Sequence, residues 1–80
     1  MKRSYKLVFP QSLIREPIIF TLAKRYDVMP NIRRARVTDT YGEIVVDIEG
    51  AEENVEEALA SLRNQGVEVE DIDLGDVKQG

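Results

Sequence analysis

The sequence contains no cysteine and no histidine. Without them there is no disulfide framework, no Cys/His zinc site, no iron–sulfur cluster, no thiol nucleophile and no imidazole general base. Long apolar runs are missing as well. Leu7-Val8-Phe9 follows Lys2 and Arg3 but is far shorter than a signal-peptide core, and it stops at Pro10. No stretch approaches the ~20 apolar residues that cross a bilayer. These absences predict a cytoplasmic domain without membrane insertion, metal or cofactor, and they leave no catalytic residue to name.

What is present is an ordinary globular composition. Eighty residues, 42% of them hydrophobic and 32% charged, suit one domain. A chain this short buries only roughly 60% of the surface its unfolded form exposes, so its core is thin. The net charge of −4 argues against a general binder of nucleic-acid backbones. That total conceals a division along the chain. Residues 1–37 carry nine cations and two acids, a balance of +7, whereas residues 38–80 carry two cations and thirteen acids, a balance of −11. Either the first half presents a basic face to a partner, or the two halves neutralise each other as neighbours in a sheet.

Hydrophobic periodicity gives the elements. Tyr5, Leu7 and Phe9 alternate along a first strand that Pro10 ends. From Ser12 a helix follows, with Pro17 in its first turn and a buried stripe of Ile19, Leu22, Ala23 and Tyr26. Asp27 to Pro30 closes it. From Asn31 the period returns to two, with Arg33, Ala35 and Val37 on one face and Ile32, Arg34, Arg36 and Thr38 on the other. Thr38 to Gly42 has turn chemistry, and Glu43 to Glu49 alternates cleanly with Ile44, Val46 and Ile48 inward. A second helix over 51–65 carries Glu52 and Glu53 in its first turn, a stripe of Val55, Ala58, Leu59 and Leu62, and Gly66 as its left-handed cap. Val67 to Glu70 is a last strand that bulges or ends near Asp71, since Ile72 and Leu74 fall out of phase. The domain is expected to span 1–75, with a flexible tail at 76–80.

The order β-α-β-β-α-β is the split βαβ of a ferredoxin-like α+β sandwich. Right-handed crossovers put both helices on one face of a four-stranded antiparallel sheet and leave the other face open. The second and last strands are then the edges. With the hairpin turn centred near Thr40, Arg36 is expected opposite Val45 and Arg34 opposite Asp47 on the open face. Such pairs would neutralise much of the basic half, leaving Arg34 and Arg36 at an edge.

Several chemistries known on this topology lack their residues. No Cys-x-x-Cys pair exists for metal transfer. Phe9 to Arg15 has no glycine to bring backbone amides onto a phosphate, as an acylphosphatase loop requires. The open faces of the central strands offer Lys6, Val8, Glu43, Val45, Asp47 and Glu49, not the aromatics on which RNA bases stack. Asp71 to Asp76 falls short of a calcium loop, and Glu52, Glu53, Glu56 and Glu57 form the wet face of a helix. Phe20 is the odd apolar residue, about 100° beyond the helix stripe. It is either a rim of the core or an anchor for another chain.

An ordered set of stations runs along the chain: Leu7-Val8-Phe9-Pro10, Arg15-Glu16-Pro17, Leu22-Ala23-x-x-Tyr26-x-Val28, Asn31-Ile32-Arg33-Arg34-Ala35, Gly42, Gly50, and Ala58-x-x-x-Leu62-x-x-x-Gly66-Val67-Glu68-Val69-Glu70. With them the sequence from Tyr5 to Val69 resembles the NIL domain, Asn31 to Ala35 standing at its naming Asn-Ile-Leu-type motif. Such domains regulate the ATPase subunits of bacterial methionine importers, where they pair as ACT-like dimers and bind methionine, and they also occur fused ahead of small ferredoxins. Arg33 replaces the apolar residue of the importer type, which makes the chain look more like the ferredoxin-associated branch. The resemblance implies a homodimer, an amino-acid ligand of methionine type, and a transporter or ferredoxin partner.

Two functional readings follow. In the first, Asn31 offers both a donor and an acceptor at the start of an edge strand, and holds the polar groups of an amino acid between apolar walls from Met29 and Ile32. Alternatively Asn31 only satisfies the turn after Pro30. In the second reading the chain is a protein-interaction module that docks through Phe20, Arg34 and Arg36 and binds no small molecule.

Overall fold

The computed structural model of the chain describes residues 2–72. The expected domain limit at residue 75, the tail at 76–80 and the end of the acidic run after Ile72 lie outside the described residues. Strand β1 is Lys2–Phe9, helix α1 Ile18–Tyr26, strand β2 Met29–Val37, strand β3 Gly42–Glu49, helix α2 Glu52–Gln65 and strand β4 Glu68–Ile72. The sheet order is β2-β3-β1-β4, with every neighbouring pair antiparallel. This is the ferredoxin-like arrangement that the periodicity predicts, with β1 and β3 central.

Alternation along the central strands sorts residues by environment. Tyr5, Leu7 and Phe9 of β1 join Val46 and Ile48 of β3, and Ile18, Leu22, Val55, Ala58, Leu59 and Leu62 of the helices, in one buried cluster. One cluster on one side of the sheet means that both helices cover that side. Fully burying each Val, Leu, Ile or Phe side chain among them contributes about 1.5–3 kcal/mol.

The first helix starts later than its sequence pattern suggests. Gln11–Leu13 form a 3-10 turn, and α1 begins only after Pro17, whose ring disfavours a helical conformation at Glu16. The buried stripe is accordingly Ile18 and Leu22, with Ile19 and Tyr26 packed partly against the core. Asp27, at φ 56°, turns the chain out of α1. Pro30 lies inside β2, which an edge strand tolerates because one side of it needs no ladder donor. Helix α2 ends as expected, with Gly66 at φ 103° and the Val67 N–H donating back to the Leu62 carbonyl at 3.0 Å.

The hairpin register differs from the expected one. Thr38 closes the turn against Tyr41, its N–H donating to the Tyr41 carbonyl at 2.7 Å and its Oγ1 accepting from the Tyr41 N–H at 3.0 Å. The turn is therefore centred one residue earlier, and each partner moves by two. Arg36 lies opposite Glu43 and Arg34 opposite Val45. Strand β2 is also irregular, since the pairing skips Arg33 between Ile32 and Arg34. This bulge puts Ile32 opposite the core residue Val46, on the helix side, while Arg34 and Arg36 stay on the open face. Ile32 does not share a face with them. Strand β4 continues through Asp71 without a break, because Val69 turns to the core side and Ile72 to the open side, opposite Ser4.

Candidate functional site

Pairing across the sheet lines up one polar row on the open face. Asn31 of β2 sits opposite Asp47 of β3, which sits opposite Ser4 of β1. Asp47 is only 4% exposed, although it belongs to the uncovered face. The Ser4 hydroxyl donates to its Oδ1 at 2.7 Å, and the Arg33 guanidinium lies 3.3 Å from its Oδ2. A buried carboxylate needs such partners, because losing water without replacement costs several kcal/mol. The bulge supplies the second one. It frees Arg33 from strand alternation, so that its side chain reaches over β3.

Asn31 is exposed, and its amide makes no hydrogen bond among the described residues. It is part of β2, not of a turn. Met29 lies on the same face, opposite Glu49, and is 68% exposed. Ile32 is exposed on the other side of the same strand. The structure thus gathers Asn31, Met29 and Arg33 around Asp47 and places Ile32 behind them.

The basic edge and its acidic neighbour face each other in a different pairing from the expected one, with Arg36 opposite Glu43 and Arg33, not Arg34, at Asp47. Among the described residues, Arg34 and Arg36 form no ion pair, and they border a 470 Å³ depression with Ala35, Glu43 and Val45. Glu43 instead accepts a hydrogen bond from the Tyr41 hydroxyl at 2.7 Å, with Lys6 at 3.7 Å. That hydrogen bond, helped by Lys6, Arg36 and Arg34, holds the Glu43 carboxyl below the usual carboxylate range. The same bond raises the Tyr41 phenol. Lys6 also approaches Glu70 of β4 at 3.7 Å.

Phe20 is 67% exposed on α1, with the Lys24 ammonium 5.8 Å from its ring centre. It borders a 190 Å³ apolar depression on the helix side with Ile14, Pro17, Val37 and Ile44. Phe20 and the Arg34/Arg36 pair therefore flank one sheet edge from opposite sides. Among the described residues no group of acidic side chains could hold a metal ion, and no helix is long and apolar enough to cross a membrane.

Sequence reasoning missed Asp47 and Ser4 as members of the site. The signal was an aspartate inside the apolar run Ile44-Val45-Val46-Asp47-Ile48, a charge that burial obliges some neighbour to answer.

Comparison with known proteins gives a consistent set. The model of the NIL domain matches residues 3–71. Methionine import ATP-binding protein MetN 2 of Listeria innocua is 38% identical over 69 residues, which is 81% of this chain and 20% of that protein. Methionine import ATP-binding protein MetN 1 of Bacillus anthracis is 34% identical over 59 residues, 69% of this chain and 17% of that protein. The chain thus spans about a fifth of the length of the curated relatives it matches. Both carry the name of methionine import ATP-binding proteins. Among solved structures, the C-terminal domain of an ABC transporter ATP-binding protein from Enterococcus faecalis superposes with a TM-score of 0.76 at 26% identity, covering 88% of this chain and 82% of that one.

Proposed function

Because the chain belongs to the NIL domain family, we propose that it is a non-catalytic, cytoplasmic regulatory domain that binds an amino acid of methionine type as a homodimer. The observation that carries this reading is the Asn31 amide, without a hydrogen bond among the described residues, on the edge strand β2 of the described sheet. An amino acid presents a carboxylate and an ammonium together, and an amide with both donor and acceptor, beside unpaired strand groups, meets both. Met29 on the same face supplies apolar contact for a thioether side chain. A second copy across the β2 edge would close the site, with Ile32 at the seam. An importer ATPase is the partner that the relatives suggest.

A thermal-shift screen of the twenty amino acids tests the reading. Ligand at a hundred times its dissociation constant stabilises the folded state by about 2.7 kcal/mol, a large shift for so small a domain. Asn31→Ala should abolish that shift. No shift with any amino acid would remove the reading.

A second reading is supported by the exposed Phe20 and by the Arg34/Arg36 pair, which has no ion pair among the described residues, on either side of the β2 edge. An acidic protein gripping that edge would meet both. It predicts capture of such a partner by a chain that responds to no amino acid.

A further inference from the structure

We propose that Arg33 reads the carboxylate of the ligand, with Asp47 and Ser4 as the residues that position it. The inference rests on the amino-acid reading above and names the group in the ligand that this chain selects.

The bulge is the first observation. In a regular strand, Arg33 and Arg34 point to opposite faces, and one of them faces the helices. The skipped pairing at Arg33 brings both to the open side, next to Asn31. Anchoring is the second. One terminal nitrogen of Arg33 lies 3.3 Å from Asp47 Oδ2, and Asp47 is itself fixed by the Ser4 hydroxyl at 2.7 Å and by burial. A guanidinium carries five donors in a planar fork, and this contact occupies one corner. The Arg33 side chain is half exposed, and no other ion pair or side-chain hydrogen bond engages it among the described residues. A fork held from behind by a fixed carboxylate loses little freedom when a second carboxylate arrives in front.

Chemistry around the fork agrees. Asn31 pairs across the strands with Asp47, the residue that Arg33 reaches, so amide and guanidinium share one neighbour and the amide can take the rest of the amino-acid head group. Asp47 offsets the charge of Arg33, but Arg34 and Arg36 continue along the same face of β2 without ion partners among the described residues. Glu43 and Glu49 lie across from β2 on the same face, so an anion there is selected by the fork of Arg33 and not by the net charge of the edge.

Calorimetric titration of the full chain distinguishes this role from simple neutralisation of Asp47. The twenty amino acids are titrated first, then the tightest binder against its own carboxamide. The intact chain should prefer the acid by about tenfold or more, the scale of a charge-assisted hydrogen bond. Arg33→Met should bring the ratio close to one with the amide still bound as before. Arg33→Lys keeps the charge without the fork and should retain part of the preference. It serves as the test if the methionine variant fails to fold, and an undiminished ratio there would count against the assignment. An acid-over-amide ratio that survives Arg33→Met, with Asn31→Ala still abolishing binding, overturns the role of Arg33 and leaves the amino-acid reading standing. Equal losses for acid and amide reduce Arg33 to a counter-charge for Asp47 and overturn it equally. Binding of no amino acid at all removes the reading beneath both.

Discussion

Arg33 leaves the pairing register of its own strand to reach Asp47 on the next, closing to 3.3 Å. A nearly buried carboxylate in the middle of a central strand is a liability, and the bulge is how this sheet answers it. Ser4 answers it from the other side. Removal of either partner therefore costs more than an exposed contact would.

Ser4→Ala is expected to destabilise the domain by about 1.5–3 kcal/mol, the range for a hydrogen bond to a charged group. Urea denaturation should show a lower midpoint at an unchanged slope. A loss within about 0.5 kcal/mol, typical of ordinary surface substitutions, would mean that Asp47 is adequately solvated.

The Tyr41–Glu43 hydrogen bond makes a pH prediction. A depressed carboxyl contributes stability that is present above its unfolded pKa and is lost as pH falls through the folded value. The Glu43 carboxyl should therefore titrate below the ordinary range in a side-chain NMR experiment, and Tyr41→Phe should move its midpoint upward, since the hydroxyl is the largest cause. Lys6→Gln should move it in the same direction by less. No change on Tyr41→Phe would place the cause in the cationic neighbours instead.

Strands β1 and β3 were legible because alternation records a physical difference: one face meets the core and the other meets solvent. Strand β2 offers no such contrast. It lies at an edge, and Asn31 through Val37 are all exposed, so polarity along it says little about direction. Arg33 and Arg34 are equally polar, and nothing in their order announces a bulge. The hairpin register escaped for a related reason. Thr38-Asp39-Thr40-Tyr41 contains several turn formers, and the backbone and side-chain hydrogen bonds between Thr38 and Tyr41 fix which residues close it. Asn31 and the Arg34/Arg36 edge could be picked from sequence by chemistry and resemblance, whereas the Ser4–Asp47–Arg33 link requires three strands to be in place.

Tyr5 carries the opposite kind of burial. Its ring is in the core, but its hydroxyl is buried and meets no hydrogen-bond criterion among the described residues, with Arg3 as the charged group beside it. An unsatisfied buried hydroxyl costs about 1–3 kcal/mol. Tyr5→Phe should leave stability unchanged or raise it. By contrast Leu62→Ala, at a fully buried position on α2, should cost about 2–5 kcal/mol. Thermal melting of the two variants compares them directly, and a clear loss in Tyr5→Phe would reveal an ordered water at the phenol.

Phe20 decides between a residue at the margin of the core and one reserved for another chain. Its ring is mostly exposed, so Phe20→Ser should change the stability of the isolated fold by no more than about 0.5 kcal/mol. Its position beside the apolar depression and Val37, at the free edge of β2, gives it a different consequence for assembly. Exposed apolar surface that continues along an unpaired strand is favourable to cover. Sedimentation across micromolar concentrations should therefore show self-association in the intact chain and weaker self-association in Phe20→Ser. An intact chain that sediments as a monomer throughout would remove the homodimer from the proposed function. A dimer unaffected by Phe20→Ser would instead put its seam on the open face, where Arg34 and Arg36 of two copies would have to be kept apart or bridged by an anion.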